Sequence, residues 1–570
     1  MAPLGIPPRI IEKIRNDGLS YLCYRLYVMR RALCAVALLA LACLLVHAAR
    51  VGLAGDYIDP IGKITAQDEA LYAHSAIAMA RNGDWLTPRF MGRYALYKPP
   101  LLVWAAAVSS KLLGVSRLSL RLPIAILSAL ALGLLFLWAG ELAGWQAGAV
   151  AGALLLSNHL WHTLAVLCMT DGLLLACYIA AFYALFCDPW LESRAALFGF
   201  SGAVAAAILT KGIAGTLPLP VLGLYWLAAR RQERPAFQRV CLAATLALAF
   251  AAPWFVYQFA VHPRWLWTEH IAVEILGFGA GAPPQTSHEN QALFYLMRLA
   301  VTDPLLLAAA AVAIPAFLRD LRGRKAAPVL LAAWIAVMLA AMLGWQYRNA
   351  SYLLPLVPAL ALLAAAWGPF RTQRYAPWML VVLAAAFLIK TSAPEQPWGL
   401  DYRAGTVQPT APILSGYCAQ ARGNELIVLD LADDLYASAL PLARLRYATV
   451  APVAAPAGPY AMPFAEMGIT VTVDQFNDLA RYTPAFRARL REWGLDSGAP
   501  IASLIAAHTA ADLAALVRAH PESDFLISAA YRNAVESAPQ ELIGAAADYL
   551  LLLSRTSVER TSPPAWSCRM

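Results

Sequence analysis

Acids and bases are scarce in this sequence, so the residues that can do chemistry are few. Two adjacent acids, Asp68 and Glu69, stand in a polar stretch between apolar runs. Asp171 opens a later apolar run and Lys211 closes the next. Glu269 and His270 precede another, and Arg348 lies four residues before Tyr352. Such carboxylates can accept a proton or orient an anion, and lysine or arginine can hold a phosphate and stabilise charge developing on it. Arginine adds bidentate geometry. Each residue also has a plainer reading. Asp68, in Thr65-Ala-Gln-Asp68, can cap the helix predicted from Glu69 to Arg81, with Glu69 favourably placed against the helix dipole and Asn82-Gly83 as the stop. Lys98 can snorkel, and Arg348 can anchor the chain at an interface. Capping and catalysis are compatible, because a cap holds its carboxylate in fixed orientation.

The elements that position these residues are membrane spans. Of 570 residues 60% are hydrophobic and 14% charged, against roughly 25% charged in a soluble domain. Apolar runs of spanning length are predicted at about 32–53, 119–140, 145–165, 170–187, 196–211, 212–229, 240–260, 294–318, 327–344, 350–368 and 375–391. Basic clusters fall on alternate sides: Arg9, Lys13, Arg15, Arg25, Arg30 and Arg31; Arg230, Arg231, Arg234 and Arg239; Arg319, Arg322, Arg324 and Lys325; Arg371 and Arg374. One alternating count puts all of them in the cytoplasm, with the N-terminus, and leaves the C-terminal region outside. The formal charge of +9 is therefore topology-setting, and nucleic acid is not an expected partner. No cleavage site follows the first run, which reads as an uncleaved span.

The same count places Asp68, Glu69, Asp171, Lys211, Glu269, His270 and Arg348 on the outer face. A transporter needs polar groups near the midplane, whereas one-sided clustering favours a surface-facing active site. The first outer loop, about 54–118, is too long for a simple connector. Trp85, Phe90, Tyr94 and Tyr97 fit a segment at headgroup level, and Pro99-Pro100 stiffen the approach of Lys98. In Leu209-Thr-Lys211-Gly-Ile-Ala-Gly215 a cation and two glycines interrupt two apolar runs, and such a break tends to line a cavity.

The region 395–570 alternates strand and helix signals, with Glu425–Asp430 and Phe525–Ser528 as strands and Ala510–Ala519 as a helix, which gives a small α/β domain. Asp433-Asp434 reads as a solvated turn or a metal pair. Seven of the nine cysteines precede Ala251 and act as small hydrophobes. Cys418 and Cys568 can pair if their region lies in an oxidising compartment.

Taken in order, Gln67-Asp-Glu-Ala-Leu-Tyr-Ala73, Asn82-Gly-Asp-Trp-Leu-Thr-Pro88, Tyr97-Lys-Pro-Pro-Leu101, Arg121-Leu-Pro123, Met169-Thr-Asp171-Gly, Leu209-Thr-Lys211-Gly, Glu269-His270 and Tyr352-Leu-Leu-Pro355 resemble the bacterial family-39-like and aminoarabinose-transferase-like glycosyltransferases. The resemblance covers roughly 60–370. It implies a mainly α, polytopic GT-C membrane fold of about 11–13 spans with outer-face juxtamembrane helices. It also implies a catalytic membrane domain over 1–394 and a C-terminal periplasmic α/β domain over 395–570. The implied activity moves a hexosyl or pentosyl group from a polyprenyl-phosphate carrier to a lipid or glycan acceptor, lipid A among them, with inversion, at the outer face of the bacterial inner membrane. Asp68 would be the catalytic carboxylate, supported by Asp171. Glu69, Tyr72, Lys98, Lys211, His270, Arg348 and Tyr352 would bind substrate, the three cations at the carrier phosphate. Tyr97 stands where the aminoarabinose transferases usually have Glu, and Leu71 where Arg is common. That Glu is associated with a metal site together with a histidine matching His270, so His270 is a candidate ligand for a divalent ion. A lipid-sugar flippase and a non-catalytic sensor remain as alternatives.

Overall fold

The structure, a computed structural model, describes residues 68–90, 93–267, 269–271, 274–275, 291–345, 348–369, 375–393, 396, 398–400, 426–429, 445–450, 504–507, 510–528, 532–533, 535–536, 540–546 and 549–555, with short pieces at 40–41, 44, 57–58 and 65–66. Most of the first predicted span, the basic N-terminus, Arg371, Arg374, Asp433, Asp434, Cys418 and Cys568 lie outside the described residues.

A two-residue ladder, β1 (Tyr57–Ile58) with β2 (Thr65–Ala66), leads into α1 (Asp68–Asn82). Gly83 ends that helix at φ +75°, a backbone angle glycine adopts without a Cβ penalty. A small hairpin of β3 (Arg89–Phe90) and β4 (Arg93–Tyr94) follows, then α2 (Leu101–Leu113). The predicted first loop thus contains a 13-residue apolar helix, which packs against α1.

The bundle continues with α3 (Arg117–Ala143), α4 (Trp145–Leu156), the short α5 (His159–Leu164), α6 (Thr170–Cys187) and α7 (Arg194–Lys211). A 3-10 turn, Gly212–Thr216, joins α7 to α8 (Pro218–Ala228). Next come α9 (Phe237–Val261), the short α10 (Pro263–Leu266), α11 (Gln291–Thr302), α12 (Pro304–Leu321) and α13 (Ala326–Gly344). The 3-10 stretch Ala350–Leu356, α14 (Val357–Trp367) and α15 (Ala376–Ser392) complete it. Seven segments among the described residues are long and apolar enough to cross a membrane: Leu118–Ala143, α6, Arg194–Thr216, α9, α12, α13 and Ala350–Trp367. Five more are shorter apolar helices.

The predicted run 294–318 is divided at Asp303, whose backbone leaves helical geometry (φ −141°) just before Pro304 starts α12. Proline has no N–H to continue a helix and suits the first helical position. The run 145–165 is likewise interrupted. Asn158 caps α5 by accepting from the Trp161 N–H at 2.9 Å. The core between α3, α6 and α13 is aromatic: Trp138 stacks on Trp334 at 5.9 Å, and Phe182 lies 4.6 Å from Trp334.

In the C-terminal part, β5 (Leu426–Leu429), β6 (Leu445–Val450), β7 (Leu504–Ala507), β8 (Asp524–Ser528), β9 (Glu541–Ala546) and β10 (Tyr549–Leu553) form one sheet in the order β7-β6-β5-β8-β10-β9. Pairings from β7 to β8 are parallel and the last two antiparallel. The helix α16 (Ala510–Ala519) lies between β7 and β8 in sequence. The two predicted strands and the predicted helix are all present.

Candidate active site

Asp68 is the first helical residue of α1, with its side chain outside the described residues. Its position is held by its neighbour. Both oxygens of Glu69 accept from Arg121 of α3, Nε to Oε1 and Nη2 to Oε2, each at 2.7 Å. Glu69 Oε1 also accepts from the Cys168 N–H at 2.9 Å, three residues before Asp171. Glu69 is 1% exposed and Arg121 fully buried. The Glu69 carboxylate is thus turned to α3 and to the turn before α6. A bidentate, fully bonded pair of this kind fixes geometry, here that of the segments carrying Asp68 and Asp171. Tyr72, one turn further on, is buried with its ring 6.4 Å from that of Tyr97.

The segment from Gly83 to Pro100 is pinned at both ends. The Leu86 carbonyl accepts from Trp254 Nε1 at 2.9 Å and Gln258 Nε2 at 2.6 Å, both on α9. The Leu96 N–H donates to Glu269 Oε2, and the Tyr97 carbonyl bonds His270 Nδ1 at 3.0 Å. Tyr94 is buried against His262 and Trp265, at 4.1 and 5.7 Å. Tyr94 and Tyr97 are therefore buried and do not form the headgroup belt expected from sequence, because His262, Trp265, Glu269 and His270 supply partners for this strip.

Lys211 ends α7, and its Nζ donates to Asp171 Oδ1 at 2.8 Å across to the first turn of α6. The ammonium also lies 5.5 Å from the centre of the Tyr352 ring, within cation–π range. Gly212 follows at φ +53°. A Cβ there would sit 2.6 Å from His270 Cε1, so the glycine permits both the backbone turn and the close approach of the imidazole.

These residues border a partly open cavity of about 360 Å³, lined by Tyr97, Lys98, Asp171, Lys211, His270 and Tyr352 together with apolar residues of α6, α13 and the 3-10 turn after Lys211. Lys98, Asp171, Lys211, His270 and Tyr352, all named as site candidates from the sequence, line this cavity together. Glu69, Tyr72 and Arg348 lie outside the lining. Arg348 is buried beside Phe294, with Cζ 6.0 Å from the ring centre, and Arg298 covers the same ring at 3.4 Å. Sequence reasoning missed Glu274, which also lines the cavity and pairs with Lys98. No sequence signal marked it, since the backbone there is π-helical and does not follow the ordinary helical period.

Burial is the main cause holding the His270 pKa below its ordinary 6.5; its bond to the Tyr97 carbonyl opposes this. The imidazole is neutral at pH 7. Among the described residues no group of three or more His, Cys, Asp or Glu could hold a metal ion. His270 Nδ1 is engaged by Tyr97 and Glu274 by Lys98, so the donors do not gather around a common point. Among the described residues, then, no donor set for a resident metal is gathered.

A mainly helical membrane bundle with a polar cavity at helix ends and a separate mixed sheet defines the class: the GT-C fold. ArnT from Cupriavidus metallidurans bound to undecaprenyl phosphate matches it with a TM-score of 0.62 at 16% identity, over 91% of this chain and 97% of that one. The apo form of that protein gives 0.56, over 85% and 92%. A family model described as dolichyl-phosphate-mannose-protein mannosyltransferase matches residues 97–257. Relatives named undecaprenyl phosphate-alpha-4-amino-4-deoxy-L-arabinose arabinosyl transferase include one from Shewanella sediminis, 28% identical over 323 residues, covering 54% of this chain and 57% of the relative. Another, from Pseudomonas aeruginosa, is 28% identical over 329 residues, covering 52% and 54%. The chain spans just over half the length of these curated relatives. The resemblance carried by the ordered motifs is borne out, and the protein is similar to the aminoarabinose-transferase-like group of multi-pass GT-C membrane proteins.

Proposed function

We propose that the protein is a glycosyltransferase that moves a hexosyl or pentosyl group from a polyprenyl-phosphate carrier to a lipid or glycan acceptor, with inversion, at the outer face of a bacterial inner membrane. The observation that carries this reading is that Lys98, Asp171, Lys211 and Tyr352 line one cavity whose lining is otherwise mainly apolar. A phosphate head on an isoprenoid tail has the same division between charged and greasy parts. The membrane delivers such a donor in two dimensions, and no nucleotide site is required.

In this reading the acceptor oxygen attacks the anomeric carbon from the face opposite the carrier, forming the new glycosidic bond as the bond from that carbon to the phosphate oxygen breaks. Asp68, the first residue of α1, takes the proton of a hydroxyl acceptor or orients an acceptor phosphate. Lys98 and Lys211 stabilise the charge gathering on the departing phosphate, an effect strengthened where water is excluded. Asp171 holds the Lys211 ammonium over the cavity, and neutral His270 braces the Lys98 segment through Tyr97. The N-terminal end is assigned to the cytoplasm and the 395–570 region to the periplasm, in keeping with the basic clusters. The membrane catalytic domain is assigned to 1–394.

Asp68→Asn tests the assignment. The variant should lose at least about a hundredfold in transfer rate while its thermal unfolding in detergent stays that of the parent. An Asp68→Asn protein that still transfers sugar would remove this residue from the mechanism. If reconstituted parent protein moves a labelled lipid-linked sugar across the bilayer without making a new bond, the enzyme reading itself gives way to a flippase.

A further inference from the structure

Both lysines of the cavity are already paired with acids. Lys211 meets Asp171, and Lys98 meets Glu274. All four side chains line the same cavity, and His270 beside them is neutral. Two ammonium groups and two carboxylates therefore cancel, so an arriving phosphate meets cations that are already satisfied.

The two pairs differ in how firmly they are held. Asp171 and Lys211 sit on packed helix ends, with side chains 7% and 13% exposed. Glu274 lies on the π-helical segment after α10, and Lys98 on the strip before Pro99, at 19% and 18% exposed. The second pair is the wetter one, held by shorter segments, and its carboxylate is the easier to displace.

We infer that Glu274 is a counter-ion that competes with the carrier phosphate for Lys98. It occupies the ammonium when the cavity is empty, yields it to the donor phosphate, and takes it back as the product leaves. This rests on the function proposed above and assigns a specificity role to a residue outside the reaction itself. Its chemical sense lies in the charge of the two carrier forms. The sugar-linked donor is a phosphodiester with one negative charge, whereas the released polyprenyl phosphate is a monoester carrying roughly −1.5 to −2 near pH 7. An uncompensated Lys98 in a low-dielectric cavity would hold the product more tightly than the donor. A competing carboxylate offsets that preference and lets product release keep pace with chemistry.

The test is binding of undecaprenyl phosphate to the full-length protein in detergent, with steady-state kinetics alongside. Glu274→Gln should lower the Kd by about three- to tenfold and lower kcat together with KM, as product leaves more slowly. Lys98→Met should weaken binding and erase the difference between Glu and Gln at 274. A carboxylate that merely props the fold would give the opposite sign, with weaker binding and reduced stability. Equal or weaker binding by a folded Glu274→Gln protein overturns the inference. If that variant does not fold, Glu274→Asp should tighten binding in the same direction by a smaller factor, and weaker binding by it overturns the inference equally. Parent protein that does not bind undecaprenyl phosphate at all defeats the proposed function. Parent protein that binds it without tightening at position 274 defeats only the counter-ion role.

Discussion

Two buried lysine–aspartate pairs have nearly the same parts and different numbers of further partners. In each, the lysine lies at or near the end of a helix and the aspartate at the start of another: Lys211 with Asp171 at 2.8 Å, Lys390 with Asp303 at 2.6 Å. Lys390 also donates to the Ser157 carbonyl at 2.8 Å. Asp303 also accepts from the His159 N–H at 3.2 Å, and His159 Nδ1 bonds the Gly399 carbonyl at 2.5 Å. That network ties α15, the start of α12, the turn before α5 and the segment after α15 into one clasp. Lys211 has the Asp171 carboxylate, the face of Tyr352 and then open cavity. The difference lies in saturation. Both pairs border a cavity, that of Lys390 and Asp303 being about 280 Å³. The second pair is also bonded to Ser157 and His159, which makes it a fastener, while the first keeps bonding capacity for a ligand.

The comparison can be broken in three ways. Asp303→Ala should cost about 3–5 kcal/mol, the price of leaving a buried ammonium without its partner. Thermal unfolding should show it, with activity falling only as far as the folded fraction does. If Asp303→Ala left stability intact, the clasp would not be a fastener. Lys211→Ala should reverse the pattern: a loss of about a hundred- to a thousandfold in turnover, equivalent to about 2.7–4 kcal/mol of transition-state stabilisation, with a smaller change in unfolding temperature because Asp171 can be solvated from the cavity. A stability loss in Lys211→Ala as large as in Asp303→Ala would erase the distinction.

The smallest effect concerns the neutral group between the two cavity pairs. The folded pKa of His270 lies below 6.5, so the unfolded chain takes up a proton that the native site refuses. Stability is full above about pH 6.5 and is lost as pH falls through 6.5 toward the depressed folded value. His270→Gln should flatten that part of the curve of unfolding temperature against pH. An unchanged slope would mean that the imidazole is not held neutral.

The open pair was legible in the sequence and the clasp was not. Lys211 stood out because a cation and two glycines interrupt apolar runs, and Asp171 because it opens one. Asp303 and Lys390 both lay inside predicted apolar runs, at 294–318 and 375–391, where the apolar average concealed them. The dipeptide Asp303-Pro304 was the available signal, since it marks a helix start. Arg121 was visible as part of a motif, but its bond to Glu69, 52 residues away, depends on how α1 lies against α3. The same holds for Glu274. A π-helical backbone does not follow the ordinary helical period, so which face carries the acid was not readable. The alternation of basic clusters and apolar runs did convey the mainly helical bundle, because both follow from the cost of placing charge and unpaired backbone in lipid.

The clasp also has a consequence for the order of assembly. Its contacts join Ser157 and His159 to Asp303, Lys390 and Gly399, with separations of up to 240 residues. Glu69, by contrast, finds both its partners once the chain has been made as far as Cys168. During synthesis the scaffold beneath Asp68 can therefore close early, while the helices around it stay unfastened until α15 has entered the bilayer. The apolar helix α15 thus acts as the bolt of the bundle. A chain truncated before Lys390 would carry every residue of the proposed cavity and still lack the contact that secures its frame.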